Sequence, residues 1–192
     1  MARNTDGLKM SDYLGLIGRL TSLHGRAAVI TGGAGHIGRA LASVFLELGA
    51  RVCLVDRDEA SVARAVESTS AGTGARAVGL VVDLEREADR TAIVPRVQEA
   101  IGDVSILVNN AGFVGDSTLK GWVVPFEEQQ IDTWRRALEV NLTAAFHLTQ
   151  LFTPQLGRSG KGSVVNIGSI YGVVGPDMRL YQGTGMGNPA AY

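Results

Sequence analysis

Three glycines in the segment VITGGAGHIGRA, residues 29 to 40, have the spacing of a turn that binds a diphosphate. Gly32, Gly35 and Gly38 follow one β-branched run and lead into a helical pattern, and a second β-branched run ends at Asp56. Glycine lets the backbone approach a pyrophosphate closely, and the free N–H groups at the start of a helix receive its negative charge. A glycine turn by itself is often only steric, but this combination predicts a dinucleotide site that includes all three glycines.

Asp56 decides which dinucleotide is expected. A carboxylate at the end of the second strand accepts hydrogen bonds from ribose hydroxyls and repels a 2′-phosphate, so NAD is predicted in preference to NADP. Arg57 follows immediately and is able to pair with a phosphate, which weakens that preference. A second interpretation, in which Asp56 caps a helix that opens near Asp58, is compatible with the first.

Asn141 and Ser169 are polar residues at positions where a site is expected. The segment around Asn141 is apolar with a helical period, and the middle of such a helix is a poor place for an asparagine. A residue that is unfavourable in an otherwise regular helix indicates either a functional role or strain. The alternative is a core asparagine whose amide is hydrogen-bonded. Ser169 ends a β-branched run, and open α/β sheets bind ligands at that carboxyl edge.

The elements that would position these residues follow from an alternation of short β-branched runs with longer segments of helical period. The runs predict five strands, at 27 to 31, 51 to 56, 75 to 83, 104 to 112 and 162 to 169. The other segments predict helices near 37 to 48, 58 to 70, 86 to 101 and 133 to 156, the first of them stopped by Gly49. This order is typical of an α/β fold with a doubly wound parallel sheet between two layers of helices.

The composition limits the number of domains and the classes of partner. With 45% hydrophobic and 19% charged residues in 192, we expect one domain over 25 to 192 and an extension over 1 to 24. Residues 12 to 20 of that extension are either mobile or a short amphipathic segment against the body or a neighbouring subunit. The formal net charge of -1 provides no field that would attract nucleic acid or an anionic membrane, so neither is an expected partner.

Metal binding and secretion are also not expected. The single cysteine, Cys53, and three scattered histidines lack the spacing of metal ligands. The apolar pieces near the start are too short for a signal peptide or a membrane span, which predicts a reducing cytoplasm.

The order of TGGAGHIG, Asp83, NNAG at 109 to 112, Asn141 and Ser169 resembles the short-chain dehydrogenase/reductase family, over residues 24 to 192. The resemblance implies a Rossmann fold, a nicotinamide cofactor, a small-molecule substrate and a homo-oligomer, either a dimer or a tetramer.

The resemblance also implies roles for individual residues. Those implied to bind the cofactor, besides the glycines, Asp56 and Arg57, are His36 and Ile37 in the phosphate turn, Asp83 and Leu84 beside the adenine, and Asn110, Ala111 and Gly112 under the cofactor. The commoner family form has glycine where His36 stands, and the present spacing is shared with the sugar-nucleotide-modifying branch. Ser169 is implied to hydrogen-bond the substrate oxygen, and Asn141 to bind a water in a proton relay.

The family's Tyr-x-x-x-Lys motif leaves two tyrosines to consider. Tyr181 has the commoner distance from Ser169, but Gly185 stands where the lysine belongs. Tyr192 follows Asn-Pro, a good N-cap and first helical position, and is therefore the predicted proton-transfer residue. A lysine one turn later would favour the tyrosinate, and the sequence ends before that position. We therefore expect a C-terminally incomplete domain that lacks the family's last strands and is impaired in catalysis.

The expected function is NAD-dependent hydride transfer between nicotinamide and a secondary alcohol or ketone. The long stretch between Ser169 and Tyr192 resembles members associated with bacterial surface-glycan pathways, which makes a sugar derivative one candidate substrate. One alternative, indicated by the glycine spacing, is an epimerase or dehydratase that uses NAD transiently. A second, indicated by the missing lysine, is a non-catalytic NAD-binding protein.

Overall fold

A computed structural model describes residues 10–70, 77–114, 119–187 and 191. Five parallel strands form one sheet in the order β3-β2-β1-β4-β5. The strands are β1 (Ala27–Thr31), β2 (Arg51–Asp56), β3 (Val78–Val81), β4 (Ile106–Asn109) and β5 (Ser163–Asn166). The helices are α1 (Met10–Thr21), α2 (His36–Glu47), α3 (Glu59–Ser70), α4 (Glu87–Thr91), α5 (Ile93–Ile101), α6 (Ile131–Leu138) and α7 (Ala144–Arg158). The predicted doubly wound α/β fold is confirmed.

The sheet is covered on both faces, which explains why its central strands are apolar at every position. All five residues of β1 are buried, and alternate side chains enter different cores. Val29 packs in a core that includes residues of α5 and α7, whereas Ile30 packs in a second core that includes residues of α2 and α3. The layers predicted from the alternating pattern therefore arise from the two-residue period of the strands.

The strand order places a crevice at the carboxyl ends of β1 and β4. The chain moves outward from β1 to β2 and β3, then returns to pair β4 with the other side of β1. The connection after β1 leads to one side of the sheet and the connection before β4 leads to the other, so the strand order reverses between these two strands. Open parallel sheets bind their ligands at the carboxyl ends of the strands where this reversal occurs.

Two helices predicted as continuous are each divided in the structure. The one predicted over 86 to 101 breaks at Ala92 between α4 and α5. Pro95 has no N–H to donate to the carbonyl of Thr91 four residues earlier, which accounts for the break. The one predicted over 133 to 156 begins at Ile131 and contains a π-helical turn, Glu139–Thr143, between α6 and α7.

The first helix and the edge strand β5 carry exposed apolar residues. Residues 12 to 20, for which a mobile or amphipathic segment was predicted, lie within helix α1, where Leu16, Ile17 and Leu20 are exposed. At the sheet edge, Val164 and Val165 point to opposite faces of β5 and both are exposed. Within the described residues, no helix is both long and apolar enough to cross a membrane.

Candidate functional site

An open cleft of about 870 Å³ lies along the carboxyl edge of the sheet. Almost every sequence-predicted site residue lines it: Gly32, Gly35, His36, Ile37, Asp56, Arg57, Asp83, Leu84, Asn110, Ala111, Gly112, Asn141 and Ser169. Gly38 does not line the cleft, and Tyr192 lies outside the described residues. The structure thus brings together residues that are spread over more than half of the sequence.

The glycine turn leaves room for a ligand because its backbone is packed as closely as glycine permits. Gly32 has a φ of +61°, and a Cβ on it would lie 2.8 Å from the Cα of Ala111. A Cβ on Gly38 would lie 2.4 Å from the carbonyl oxygen of Gly32, so this glycine holds α2 against the turn. Helix α2 begins beside the cleft, its N-cap Gly35 provides no side-chain cap, and its first turn carries no acidic residue. Such a helix start suits a phosphate.

Thr31, which the sequence analysis missed, fixes the glycine turn to the segment after β4. Its buried Oγ1 accepts hydrogen bonds from the backbone N–H groups of Asn110 at 3.0 Å and Ala111 at 3.1 Å. The Asn110 side chain in turn donates to the carbonyls of Thr31 at 2.9 Å and Gly32 at 3.1 Å. In the sequence, the feature that could have identified Thr31 is its place as the one polar residue at the end of the apolar strand β1.

Asp56 faces the cleft with its carboxylate held by the main chain. Oδ2 accepts a hydrogen bond from the N–H of Ala34 at 3.0 Å, and Oδ1 accepts one from the N–H of Arg57 at 2.8 Å. Each oxygen retains a lone pair for a ligand hydroxyl. The proposed capping role belongs to Asp58 instead, which accepts from the N–H of Ser61 at 2.8 Å in the first turn of α3.

An ion pair that the sequence did not indicate closes one side of the cleft near Asp83 and Leu84. Arg136 on α6 donates two hydrogen bonds to Glu85, at 2.8 and 3.1 Å, and Arg57 lies 4.0 Å from the same carboxylate. The hydrogen bond from Arg136 lowers the pKa of Glu85 below its ordinary value, more than its partial burial raises it. On this side of the cleft, the two cations Arg57 and Arg136 therefore flank the ionised Glu85 carboxylate at neutral pH.

Asn141 lies within the π-helical turn, so its position in the chain is special for a reason that the apolar pattern did not reveal. Its Oδ1 accepts from the backbone N–H of Phe113 at 2.6 Å, and its Nδ2 donates to the carbonyl of Ala191 at 3.2 Å. Both ends of the amide are thus hydrogen-bonded, as the alternative of a satisfied asparagine requires. A π-helical turn is frequent at functional sites, and the relay role remains a prediction.

Ser169 and the two tyrosines occupy different surroundings. Ser169 is half-buried at the cleft, and its Oγ accepts from the N–H of Tyr171 at 3.2 Å. The hydroxyl of Tyr181 lies 3.3 Å from that of Tyr171, in the 3₁₀ turn Met178–Tyr181, and Tyr181 does not line the described cleft. Ala191, the residue before Tyr192, is buried and bound by Asn141, which brings this part of the backbone to the predicted relay residue.

Neither a metal centre nor a reactive thiol emerges from the described part of the chain. It contains no group of three or more histidine, cysteine or acidic residues that could hold a metal ion. Burial raises the pKa of Cys53 to about 12, so its thiol stays protonated at neutral pH.

Comparison with known proteins connects this geometry to a family. The family model of the short chain dehydrogenases matches residues 26–184. The chain is 35% identical over 160 residues to 2-(S)-hydroxypropyl-CoM dehydrogenase 3 of Xanthobacter autotrophicus, covering 83% of this chain and 60% of that protein. It is 34% identical to L-fucose dehydrogenase of Mus musculus, covering 84% and 55% of the two chains. The chain therefore spans less than two thirds of the length of these relatives.

Solved structures give the same fold with both nicotinamide cofactors. NAD⁺-bound xylitol dehydrogenase superimposes with a TM-score of 0.71 at 30% identity, covering 84% of this chain and 60% of that one. L-Sorbose reductase from Gluconobacter frateurii, solved with NADPH and L-sorbose, has a TM-score of 0.71 at 29% identity, covering 80% and 56%.

Proposed function

Because the chain belongs to the short-chain dehydrogenase family, we propose that its cleft binds NAD(H) and that the protein is an oxidoreductase acting on a secondary alcohol or ketone. The observation that carries this proposal is the meeting of the glycine turn, the start of α2, Asp56 and the NNAG segment in one cleft. The fit depends on close packing as well as chemistry, since a Cβ at Gly32 would lie 2.8 Å from the Cα of Ala111 and force the glycine turn away from the NNAG segment.

NAD is the proposed cofactor rather than NADP. Asp56 presents carboxylate oxygens beside the glycine turn, where they suit ribose hydroxyls and oppose a 2′-phosphate. Arg57 is the residue that could favour NADP, but it lies 4.0 Å from the Glu85 carboxylate, which already balances part of its charge. Solved relatives hold either cofactor, so the preference depends on these residues of the present chain.

The bound nicotinamide would supply the hydride acceptor or donor, and the chain's own residues would manage the substrate oxygen and its proton. Ser169, which lines the cleft, donates a hydrogen bond to the substrate oxygen and so polarises it. Tyr192 exchanges the proton, and Asn141 connects that proton to water. The hydrogen bond from Asn141 to the carbonyl of Ala191 supports the proximity that this assignment needs.

A polyol or sugar derivative is the proposed substrate class. L-Fucose dehydrogenase and xylitol dehydrogenase, two of the similar proteins, are named for substrates that carry several hydroxyl groups. Their names, together with the long segment between Ser169 and Tyr192, support this class over a simple alcohol. The relatives named here are dehydrogenases and a reductase, which favours net oxidation or reduction over epimerisation.

The cofactor proposal is tested with a pair of glycine variants that share backbone geometry. Gly32 and Gly160 have φ values of +61° and +62°, but only Gly32 has backbone within 3 Å of an added Cβ. Titration calorimetry should show that Gly32→Ala weakens NADH binding at least tenfold, whereas Gly160→Ala costs about 1 kcal/mol of stability and leaves affinity unchanged. NADH binding that is equal in Gly32→Ala and the unaltered protein would contradict the proposed site.

The reaction itself is tested by following NADH formation with a panel of polyols and sugars, in a form extended past Tyr192. Accumulation of NADH identifies a dehydrogenase. Product formation without release of NADH would point to an epimerase or dehydratase, and tight NAD binding without turnover would point to a binding protein.

A further inference from the structure

Arg90 on α4 is a buried cation that the proposed reaction does not use. Only 2% of the residue is exposed, and its guanidinium has three partners on different segments. NH2 forms an ion pair with Glu139 at 2.6 Å, Nε donates to Nδ1 of His147 at 3.2 Å, and NH1 donates to the carbonyl of Leu84. Burying a charge costs free energy unless the charge is paired and hydrogen-bonded. The three partners therefore hold the Arg90 guanidinium in a fixed position.

The partner Glu139 is the first residue of the π-helical turn. Its carbonyl accepts the hydrogen bond from the N–H of Ala144, five residues later, which closes the wide turn. Its side chain is the one bound by Arg90. Asn141 lies between these two residues, so the ion pair fixes one end of the turn that carries the proposed relay residue.

The partner Leu84 belongs to a different segment of the chain, the one that follows β3. It lines the cleft directly after Asp83, on the side expected to receive the adenosine. Because one planar guanidinium binds both the Leu84 carbonyl and the Glu139 carboxylate, a displacement of either segment must be taken up by the other. The third partner, His147 on α7, limits rotation of the guanidinium about its stem.

We propose that Arg90 is a positioning residue, which links occupation of the adenosine side of the cleft, through Leu84 and Glu139, to the π-helical turn that carries Asn141. The inference rests on the proposed function, since it concerns the same cofactor cleft. Arg90 does not line the cleft, so it acts on the site only through its contacts with Leu84 and Glu139.

Hydrogen–deuterium exchange with and without saturating NADH tests the link in the full 192-residue protein. In the unaltered protein, we expect NADH to slow exchange of the amides of residues 140 to 144 by roughly tenfold, a usual strength for linked sites. The decisive variant is Arg90→Met/Glu139→Leu, because replacing both members of a buried ion pair leaves no uncompensated charge. It should bind NADH and still protect the glycine turn, but lose the slowing at 140 to 144.

Arg86→Met is the matched control, because this arginine occupies the N-cap position of the same helix without a side-chain cap hydrogen bond, and its exposed guanidinium lies 3.8 Å from Asp89. It should retain the full slowing. Arg90→Lys, which keeps the charge but not the three-way fork, should lose most of it, and this variant carries the test if the double variant does not fold.

If NADH still slows amide exchange at residues 140 to 144 in the double variant or in Arg90→Lys, the inference is overturned. It is also overturned if the unaltered protein binds NADH without this slowing. If the unaltered protein binds no NADH and shows no protection of the glycine turn, the proposed function fails and the inference fails with it.

Discussion

The amide oxygen of Asn141 accepts a hydrogen bond from the backbone N–H of Phe113 at 2.6 Å. This bond joins the π-helical turn to the segment that follows the NNAG motif, because Phe113 comes directly after Gly112. Phe113 is itself buried, with its ring 5.2 Å from that of Trp122 in an edge-to-face contact. The position of Asn141 is thus set by the same segment that forms the floor of the cleft.

Replacing Asn141 by alanine should therefore lower stability even without a substrate. The N–H of Phe113 would lose its acceptor, and an unsatisfied buried donor costs about 1–3 kcal/mol. Asn141→Asp keeps an acceptor for this N–H, but its second carboxylate oxygen would face the carbonyl oxygen of Ala191 and repel it, so this variant should also lose stability. Urea unfolding of both variants measures the difference. Equal stability of Asn141→Ala and the unaltered protein would show that the hydrogen bond contributes nothing.

Asp56 should control the choice between the two cofactors. In the unaltered protein NAD(H) should bind more tightly than NADP(H), because the carboxylate repels a 2′-phosphate. Asp56→Ala should reduce the ratio of the NADH and NADPH affinities to within a few-fold. Each tenfold reduction of this ratio corresponds to about 1.4 kcal/mol of binding free energy. Titration calorimetry with NADH and NADPH measures both affinities. Tighter binding of NADPH to the unaltered protein would contradict the assignment.

Two helical glycines should respond in opposite directions to the same substitution. Gly38→Ala places a Cβ 2.4 Å from the carbonyl oxygen of Gly32, so α2 must move away from the glycine turn. Gly157 in α7 has nothing within 4 Å of an added Cβ, and Gly157→Ala should stabilise the protein by about 0.5–1 kcal/mol through helix propensity. Thermal unfolding and NADH titration should show that Gly38→Ala loses both stability and affinity. A Gly38→Ala protein as stable as Gly157→Ala would exclude the close packing described here.

The Glu85–Arg136 pair should add stability that disappears in acid. Because Arg136 holds the pKa of Glu85 below its ordinary value, the pair stabilises the folded state above the unfolded pKa of about 4.3, and the contribution is lost as the pH falls through the lower folded value. Arg136 is nearly half exposed, so solvent limits the contribution to about 0.5–1 kcal/mol.

Glu85→Gln tests this contribution by urea unfolding across the acid range. The difference in unfolding free energy from the unaltered protein should be constant near pH 7 and vanish in strong acid. Glu87→Gln, at an acidic residue in the first turn of α4, serves as the comparison and should change little. A difference for Glu85→Gln that grows in acid would contradict the assigned sign.

Much of the fold could be predicted from the sequence, because the spacing of apolar residues in strands and helices follows from which side chains are buried. The run at 27 to 31 predicted β1 to the residue, since a strand buried on both faces reads as continuous apolar sequence. The glycine turn and Asp56 were predictable for a similar reason, as local backbone geometry there requires specific residue types.

The missed features depend on contacts between segments that are distant in the chain. Thr31 and Asn110 are 79 residues apart, and Arg90 and His147 are 57 apart, so no local period reports either hydrogen bond. The π-helical turn was missed because the apolar residues around Asn141 suggest one continuous helical stripe, whereas two of them, Leu142 and Phe146, are exposed in the structure. An asparagine in an apolar helix was its only local sign, and that sign identified Asn141 but not the geometry around it.

Tyr192 is the assignment that most needs an experiment, since it lies outside the described residues. A tyrosine near its reference pKa of ~10 is ionised in only about one molecule in a thousand at pH 7. If Tyr192 begins a helix, as Asn188 and Pro189 predict from the sequence, a lysine one turn later would raise that fraction, and the helix would hold the ring in place for proton transfer. The 192-residue chain should therefore bind NADH yet turn over roughly 10³-fold more slowly than a form extended by a helix that carries such a lysine.

Tyr192→Phe should abolish activity in the extended form and change almost nothing in the 192-residue chain, because the phenol contributes only where its proton transfer is supported. Tyr181→Phe is the matched control: the Tyr181 hydroxyl lies 3.3 Å from that of Tyr171, so the variant should retain activity in the extended form. Initial rates of NADH formation, measured at saturating NAD, separate these outcomes. Strong activity in the 192-residue chain that survives Tyr192→Phe but is lost in Tyr181→Phe would move the proton-transfer role to Tyr181.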